Sequence, residues 1–455
     1  MSIDYTLDPG DVFHIPALQD GIAYLDERPD WILRPVTGAT IRMFSESEDA
    51  GLQAQMAQKC AAEQSWELSP VFEVRASPVL LRDAEFARGL VRLSDRILLS
   101  GAAGSRARVS YQQKNKSPAQ SEALLKFFRQ SRNTGPRKIG VYRGDISQTD
   151  IALELRNGFN YYHFTTETLG SLCHYQTDRS AGSIRIHLPG KQIKPFMQRF
   201  VADLFPEIAD RVTFTSAKTR YAAVRSVFSH HHYLYTMNDP SVEDVLGAAE
   251  NDPRWPVSAR NPAHFGRAAK FTFDSSLRML RDTALQRINQ ARVKTLPKRV
   301  WLGRDEDSDG ARARGLAGHR PLMEALTARG FETIAFESLS PLEQIEAMHA
   351  ADIVISPHGA GLANMIYAKT GARVVEIGTR QTQLHRWGDF LKCAHVSRCN
   401  YDVVFADVLG LGDLGKVPAM SDGHRGIHIG KRATDRLIAI VDEEIGQMQG
   451  SGETG

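Results

Sequence analysis

The chain has 455 residues, of which 42% are hydrophobic and 24% are charged, and its formal net charge is +3. This length predicts two domains, and so small a net charge gives no reason to expect nucleic acid as a partner. The four cysteines lack the spacing of metal ligands and are typical of reduced thiols in a cytoplasmic protein; they are Cys60, Cys173, Cys393 and Cys399.

Residues 1–135 show no regular pattern, because short apolar patches alternate with Pro and Gly and a polar, basic stretch follows. We interpret this region as an N-terminal module of uncertain structure. The opening residues, MSIDYTLDPGDVFHIP, have neither a basic segment nor an apolar core, so we expect no signal peptide. We expect no transmembrane helix either, since no run of 18 apolar residues occurs.

From Lys138 onward, segments that resemble strands alternate with amphipathic segments. Within 136–295 we predict strands at KIGVYRG, GSIRIHLPG and AAVRSVFSHHHYLY, and helices at FNYYHFTTETLGSLCHY, KPFMQRFVADLFPEI and DSSLRMLRDTALQRINQA. Within 296–430 we predict strands at RVWLG, FETIAFE, DIVIS and ARVVEIG, and helices at GHRPLMEALTARG, SPLEQIEAMHAA and GLANMIYAKTG. Residues 431–455 form a C-terminal helix and tail. This alternation predicts an α/β fold with parallel sheets, one in each half.

Local signals define two of these helices. Ser340 is the expected N-cap of SPLEQIEAMHAA, with Pro341 at its first position and Glu343 close behind. Gly330 follows GHRPLMEALTAR at the position where a left-handed glycine ends a helix.

The segment ISPHGAGLANM combines a buried-looking strand, a histidine and two glycines at the start of a helix. Glycines allow the backbone to approach a ligand closely, and the N–H groups at a helix start attract anions. His358 would stand at the rim of this turn. A dinucleotide-dependent oxidoreductase is an alternative interpretation, with Glu376 as its ribose-binding acid, although the third glycine of that pattern is missing.

Three segments, taken in order, resemble glycosyltransferase family 61, which includes bacterial capsular-polysaccharide transferases and plant xylan transferases. EQIEAMHAADIVISPHGAGLANMIYAKTGARVVEIG is similar to its carboxyl-terminal signature. VWLGRDED is similar to a strand that ends in Ser-Arg, with Gly303 in place of Ser. NGFNYYHFTTETLG is similar to its Asn-Tyr-x-His segment. The three segments span residues 157–380.

The resemblance implies a GT-B-like fold, with two Rossmann-like domains facing a central cleft: an acceptor-side domain over 136–295 and a donor domain over 296–430. It also implies an inverting transfer from a nucleotide-sugar donor, UDP-linked, to a glycan acceptor in surface or capsular polysaccharide biosynthesis. We expect no cofactor and a metal-independent reaction in the cytoplasm; a divalent metal and peripheral association with a membrane assembly machinery are left open.

Donor-side roles fall on residues of the carboxyl-terminal half. Arg304 would clamp the diphosphate, since a guanidinium matches phosphate geometry. Backbone N–H groups of the turn would bind phosphate oxygens, and His358 would contact the donor. Asn364 would brace the turn or reach the donor, and Glu376 would accept ribose hydroxyls. The N–H groups are those of Gly359, Ala360 and Gly361.

The general base is expected in the amino-terminal half. His163 and Glu167 are four residues apart and therefore share one face of a helix. A carboxylate beside an imidazole can hold its tautomer, so either residue could be the base.

Other polar clusters are weaker candidates. Asp305, Asp307 and Asp309 form two D-x-D patterns, which we interpret as a polar loop paired with nearby arginines. Three consecutive histidines, 230–232, would alternate between the faces of a strand and are not expected to share a metal. Because Gly303 replaces Ser, a catalytically degenerate sugar-nucleotide-binding protein is a further alternative.

Overall fold

The computed structural model describes residues 4, 6–16, 18–25, 27–65, 71–115, 119–120, 122–124, 126–127, 130, 138–156, 159–231, 269–290, 296–303, 315–411 and 416–452. Its contacts divide the chain into two compact units. Unit 1 comprises Met1–Val36 and Pro70–Thr283, and unit 2 comprises Thr37–Ser69 and Ala284–Gly455. The region interpreted as one module over 1–135 therefore contributes to both units. Among the described helices, none is long and apolar enough to cross a membrane.

The architecture is mixed α/β, with two large, mostly parallel sheets and a small third sheet. The strands in chain order are β1 (Phe13–His14), β2 (Ile22–Leu25), β3 (Leu33–Val36), β4 (Thr40–Ser45), β5 (Val71–Val74), β6 (Ala76–Ala87), β7 (Leu90–Leu93), β8 (Arg96–Leu98), β9 (Gly140–Tyr142), β10 (Ile151–Glu154), β11 (Ile184–His187), β12 (Val212–Thr215), β13 (Thr219–Ser229), β14 (Thr272–Asp274), β15 (Arg299–Gly303), β16 (Leu316–Ala317), β17 (Glu332–Ala335), β18 (Ile353–Pro357), β19 (Arg373–Thr379), β20 (Asn400–Val408) and β21 (Ile427–His428).

The α-helices are α1 (Pro9–Val12), α2 (Ala50–Gln64), α3 (Gly101–Lys114), α4 (Tyr161–His163), α5 (Pro195–Leu204), α6 (Ser275–Gln290), α7 (Arg320–Thr327), α8 (Pro341–Ala350), α9 (Arg380–His385), α10 (Leu391–Ser397) and α11 (Lys431–Gly452). A π-helix spans Phe164–Thr168, and 3₁₀ helices span Leu169–Tyr175, Ala209–Arg211, Ala269–Phe271, Phe336–Ser338, Ala360–Tyr367 and Met420–Asp422.

The large sheet of unit 1 is only partly the parallel sheet expected. Its order is β1-β8-β7-β6-β13-β10-β11-β12, with β2 paired to β6 and β9 paired to β2. Strands β13, β10, β11 and β12 are parallel, whereas β6 is antiparallel to both β13 and β7. The small sheet, β14-β5-β3, belongs to the same unit.

Two hairpins explain why the amino-terminal strands have no clear sequence signal. The turns between β6, β7 and β8 have two residues each, and φ is positive at all four: Arg88 at 54°, Gly89 at 65°, Ser94 at 47° and Asp95 at 66°. Positive φ at both positions gives turns whose twist matches the strands, but Asn-Gly or Asp-Gly is the usual sequence there. Arg-Gly and Ser-Asp therefore conceal the hairpins.

The sheet of unit 2 contains a parallel core of the expected kind. Strands β17-β15-β18-β19-β20 are all parallel, and β4 continues the parallel pairing beyond β20. Charged groups fix β4 in place: Arg42 donates two hydrogen bonds, of 2.9 and 2.8 Å, to the fully buried carboxylate of Asp402 on β20. A segment near the amino terminus thus adds a strand to a sheet whose other strands lie between Arg299 and His428.

The local helix signals are confirmed, and two predicted elements differ in detail. Ser340 Oγ accepts from the Glu343 N–H, and Glu343 accepts from the Ser340 N–H, which closes the capping box of α8. Gly330 has a φ of +75°. The helix predicted at FNYYHFTTETLGSLCHY is α4 followed by a π-helix and a 3₁₀ helix, and β13 ends at Ser229, before the histidines.

Candidate functional site

The glycine turn of unit 2 lies where the sheet topology favours ligand binding. Numbered along the chain, the core strands have the order 2-1-3-4-5, so the connections from β15 and β18 leave in opposite directions. Open α/β sheets bind ligands outside the carboxyl ends of the strands at such a switch point. β15 ends at Gly303 and β18 at Pro357, and His358 begins the turn. Arg304, next in sequence after β15, lies outside the described residues.

The turn opens the 3₁₀ helix Ala360–Tyr367. The Leu362 N–H donates to the Gly359 carbonyl at 3.1 Å, so the N–H groups of residues 359–361 precede the first bond within the helix. The buried Asn364 donates from Nδ2 to the Gly361 carbonyl at 3.2 Å, which braces the turn. The predicted phosphate donors are therefore held at the start of a helix, as an anion site requires.

His358 is held by a carboxylate from the neighbouring strand. Its Nδ1 lies 2.5 Å from Glu376 Oε1, and both side chains are buried. The Tyr401 hydroxyl donates to the other oxygen of Glu376. The structure places Glu376 in the middle of β19, not at its end, and engages both of its oxygens within the protein. The ribose-binding role of Glu376 stays a prediction, because each carboxylate oxygen can accept a second hydrogen bond.

The pKa is raised at two acidic groups near the pair of His358 and Glu376. Burial and the negative charge of Glu376 raise the pKa of Tyr401 well above its usual value, so the hydroxyl stays a donor. Burial raises the pKa of Asp389, against the positive charge of Arg386. The His424 ring stacks on His358 with centroids 5.5 Å apart. The contact of Nδ1 with a carboxylate fixes the orientation of the His358 ring.

In unit 1 the structure brings His163 and Glu167 together. His163 ends α4, Glu167 lies in the following π-helix, and His163 Nδ1 is 2.7 Å from Glu167 Oε1. The histidine side chain is 21% exposed and the glutamate 7% exposed. Single π turns within helices recur at functional sites, because they displace side chains from the α-helical face.

Arg106 completes this cluster, although the sequence analysis missed it. Its Nη1 lies 2.9 Å from Glu167 Oε2, and its Nη2 lies 2.5 Å from Oε1 and 3.0 Å from His163 Nδ1. Arg106 belongs to α3, within the basic stretch SRARVSYQQK. No spacing relates it to a histidine 57 residues later, so only the tertiary structure reveals the contact.

Glu154 is a second acidic residue that the sequence analysis missed. It is the last residue of β10, and its carbonyl accepts from Thr168 Oγ1 of the π-helix at 2.9 Å. Burial, with the negative charge of Glu167, raises the pKa of its carboxyl to about 7. Carboxyl groups shifted toward neutrality are found at catalytic sites. Its place at the carboxyl end of a parallel strand is the signal that could have found it.

The remaining polar candidates lie only partly within the described residues. His230 is buried, with Nε2 2.7 Å from the Tyr24 hydroxyl and Nδ1 2.8 Å from the Arg75 carbonyl. Across the described residues, no three His, Cys, Asp or Glu side chains are placed to hold a metal ion. His232 and the aspartates of the D-x-D patterns lie outside the described ranges. All four cysteines are buried free thiols.

Residues 161–375 match the family model Glycosyltransferase 61. No curated protein matches the chain. The chain therefore carries a glycosyltransferase family 61 domain, as the three sequence segments predicted. The matched range includes His163, Glu167 and His358 and ends one residue before Glu376; Arg106 lies outside it.

Proposed function

We propose that the glycosyltransferase family 61 domain of this chain transfers a sugar, with inversion, from a UDP-linked donor to a glycan acceptor. The observation that carries the proposal is the family match over 161–375, which includes His163 with its paired Glu167 and also includes His358. The surface-polysaccharide pathway, the cytoplasmic compartment and independence from metal ions come from the family resemblance and belong to the same proposal.

The donor would bind in unit 2. Backbone N–H groups of residues 359–361 would donate to the diphosphate, and His358 would contact the donor. Arg304 would add a fixed positive charge, as its sequence position after β15 predicts. Glu376 would orient His358, because its Oε1 lies 2.5 Å from Nδ1 of that ring. These donors would stabilise the charge that develops as the nucleoside diphosphate leaves.

The acceptor would be activated by the pair in unit 1. In a single displacement, the acceptor hydroxyl loses its proton to a base and its oxygen bonds to the anomeric carbon. The bond from that carbon to the phosphate oxygen breaks at the same time, with inversion. His163 or Glu167 would take the proton, since both belong to a partly exposed hydrogen-bonded pair.

A dinucleotide-dependent oxidoreductase is the second candidate function. It requires Glu376 to accept ribose hydroxyls in addition to the contacts that its two oxygens already make with His358 and Tyr401. The family match over residues 161–375 favours glycosyl transfer over this alternative.

A nucleotide-sugar screen tests the proposal. The purified protein is heated with UDP, GDP, CMP and NAD(P), and nucleotide release is then measured from the corresponding sugar donors, with and without EDTA. We expect stabilisation by UDP, and UDP release that persists in EDTA. Product NMR should show an inverted anomeric centre. Stabilisation by NAD(P) alone would support the oxidoreductase, and UDP binding without turnover across many acceptors would support a degenerate binding protein.

A further inference from the structure

We propose that Arg106 is a positioning residue that assigns the roles within the unit 1 pair: Glu167 orients, and His163 accepts the acceptor proton at Nε2. This inference rests on the proposed function. It deepens that proposal, because the spacing of His163 and Glu167 leaves either of them as the base. It also gives residues 1–135 a part in the reaction.

Arg106 engages both carboxylate oxygens of Glu167. The guanidinium of Arg106 forms two parallel contacts with the carboxylate, of 2.9 and 2.5 Å, and the glutamate side chain is only 7% exposed. Bidentate guanidinium–carboxylate pairs are charge-assisted and favour the ionised acid. A carboxylate with both oxygens engaged by a permanent cation is a poor proton acceptor for a substrate hydroxyl. Glu167 is therefore suited to orient its neighbour.

Glu167 determines which nitrogen of the His163 imidazole carries the hydrogen. Nδ1 of His163 lies 2.7 Å from Glu167 Oε1, so a hydrogen on Nδ1 is shared with an ionised carboxylate. That tautomer leaves the lone pair on Nε2. Arg106 Nη2 also lies within hydrogen-bond distance of Nδ1, at 3.0 Å, but the 2.7 Å contact between Nδ1 and an ionised Glu167 needs a hydrogen that only Nδ1 can supply, so we assign the hydrogen to Nδ1. His163, which is 21% exposed, thus presents a basic nitrogen beyond the cluster.

The helix that carries Arg106 is packed into a hydrophobic cluster. In α3, Ala107 and Tyr111 are buried in a hydrophobic cluster with Phe13 and Ile97. The Tyr111 ring packs edge-on against Phe13, with centroids 5.4 Å apart. A side chain on a packed helix can hold a site in one geometry better than one on a loop. The amino-terminal region therefore supports the matched domain by fixing one cation.

The proposed transfer moves one proton from the acceptor to His163. The acceptor O–H bond breaks as its oxygen bonds to the anomeric carbon, and the proton passes to His163 Nε2. The imidazolium formed donates from Nδ1 to Glu167, which stays ionised because Arg106 remains charged. The leaving diphosphate carries away the electron pair of the broken sugar–phosphate bond.

Variants of Arg106 test this assignment. We expect Arg106→Gln to lower kcat about 10- to 100-fold, the scale found for groups that orient a functional histidine. The acidic limb of the kcat profile should move to higher pH, because loss of a positive charge favours protonation of both neighbours. Arg106→Lys should recover part of both effects. Arg220→Gln is the matched control, because Arg220 forms a similar bidentate pair with the exposed Asp83.

A measurement without substrate separates this inference from the proposed function. With ¹⁵N-labelled histidine, the His163 signals are assigned by comparison with His163→Gln and titrated in each variant. We expect the Nδ1–H tautomer in the native protein and a higher titration midpoint in Arg106→Gln, with Arg220→Gln unchanged. Identical titrations in native protein, Arg106→Lys and Arg106→Gln would overturn the assignment. Absence of transfer with a shifted titration would contradict only the proposed function.

Discussion

The two units each contain a histidine paired with a glutamate, but the pairs are built in different ways. His163 and Glu167 are four residues apart on one helical segment, the histidine is partly exposed, and both contact a cation, Arg106. His358 and Glu376 come from the turn after β18 and from β19, are buried, and contact a neutral hydroxyl donor, Tyr401. The third group in contact with the glutamate is therefore a cation in unit 1 and a neutral hydroxyl in unit 2.

This difference suggests different roles for the two histidines. A cation beside Glu167 stabilises the carboxylate and leaves the histidine to exchange a proton with a hydroxyl. The unit 2 histidine belongs to the glycine turn at the carboxyl end of β18, which suits contact with a phosphate. Substitutions in matched pairs can test how far this contrast holds.

The largest expected effect separates catalysis from donor binding. His163→Gln should lower kcat about 10²- to 10⁴-fold, the usual contribution of a general base, with little change in the KM for the donor. His358→Gln should instead raise the KM for the donor and weaken UDP binding. Steady-state kinetics and calorimetric titration with UDP measure both quantities. Equal losses of UDP affinity in the two variants would remove the contrast.

Two glycines of the matched range provide the next comparison. A Cβ on Gly170 would clash with the Ser276 carbonyl oxygen, a backbone atom that cannot move aside easily. Gly170→Ala should therefore destabilise unit 1 by about 1–3 kcal/mol, the usual cost of overpacking.

The same change in unit 2 is the control. A Cβ on Gly361 would meet Leu302 and Phe336 at 3.6 and 3.9 Å, which are ordinary contacts. Gly361→Ala should change the free energy of unfolding by less than about 0.5 kcal/mol. Urea denaturation measures the free energy of unfolding of both variants. Equal destabilisation would show that packing is as tight around Gly361 as around Gly170.

The last comparison is a pH dependence expected beside the unit 1 pair. Burial raises the pKa of Glu154 from 4.5 to about 7. The folded protein therefore holds this proton more tightly than the unfolded chain, and stability falls as pH rises between these two values. Glu154→Gln should lack that loss.

The measurement compares urea midpoints of the native protein and Glu154→Gln at pH 5 and pH 8. The advantage of the variant should be larger at pH 8. A constant difference between the two proteins would mean that Glu154 ionises as freely in the folded state as in the unfolded chain.

Features with a local cause could be predicted from the sequence. The capping box of Ser340 and Glu343, the left-handed Gly330 and the four-residue spacing of His163 and Glu167 depend on neighbours within one or two turns. The order of strands and helices around the glycine turn follows from alternating hydrophobic patterns. These signals were sufficient to identify the parallel core of unit 2 and the family.

Features with a long-range cause could not be predicted. Arg106 reaches Glu167 across 61 residues, and Tyr401 reaches Glu376 across 25, so no periodicity relates either pair. Glu376 was expected at a strand end because the strand boundary was uncertain by a few residues. The strand order of unit 1 also depends on two hairpins whose turn residues do not follow the usual pattern.

The pairing of β4 with β20 has a consequence for synthesis of the chain. Arg42 emerges from the ribosome 360 residues before its partner Asp402. At typical rates of about 5–20 residues per second, β4 waits roughly 20 to 70 s for the strand that it completes. Unit 1 can fold during that interval. The sheet of unit 2 cannot form completely, because β20, the strand that pairs with β4, has not yet been synthesised. Removal of residues 37–69 would leave β20 with an unpaired edge, which favours aggregation of newly made protein.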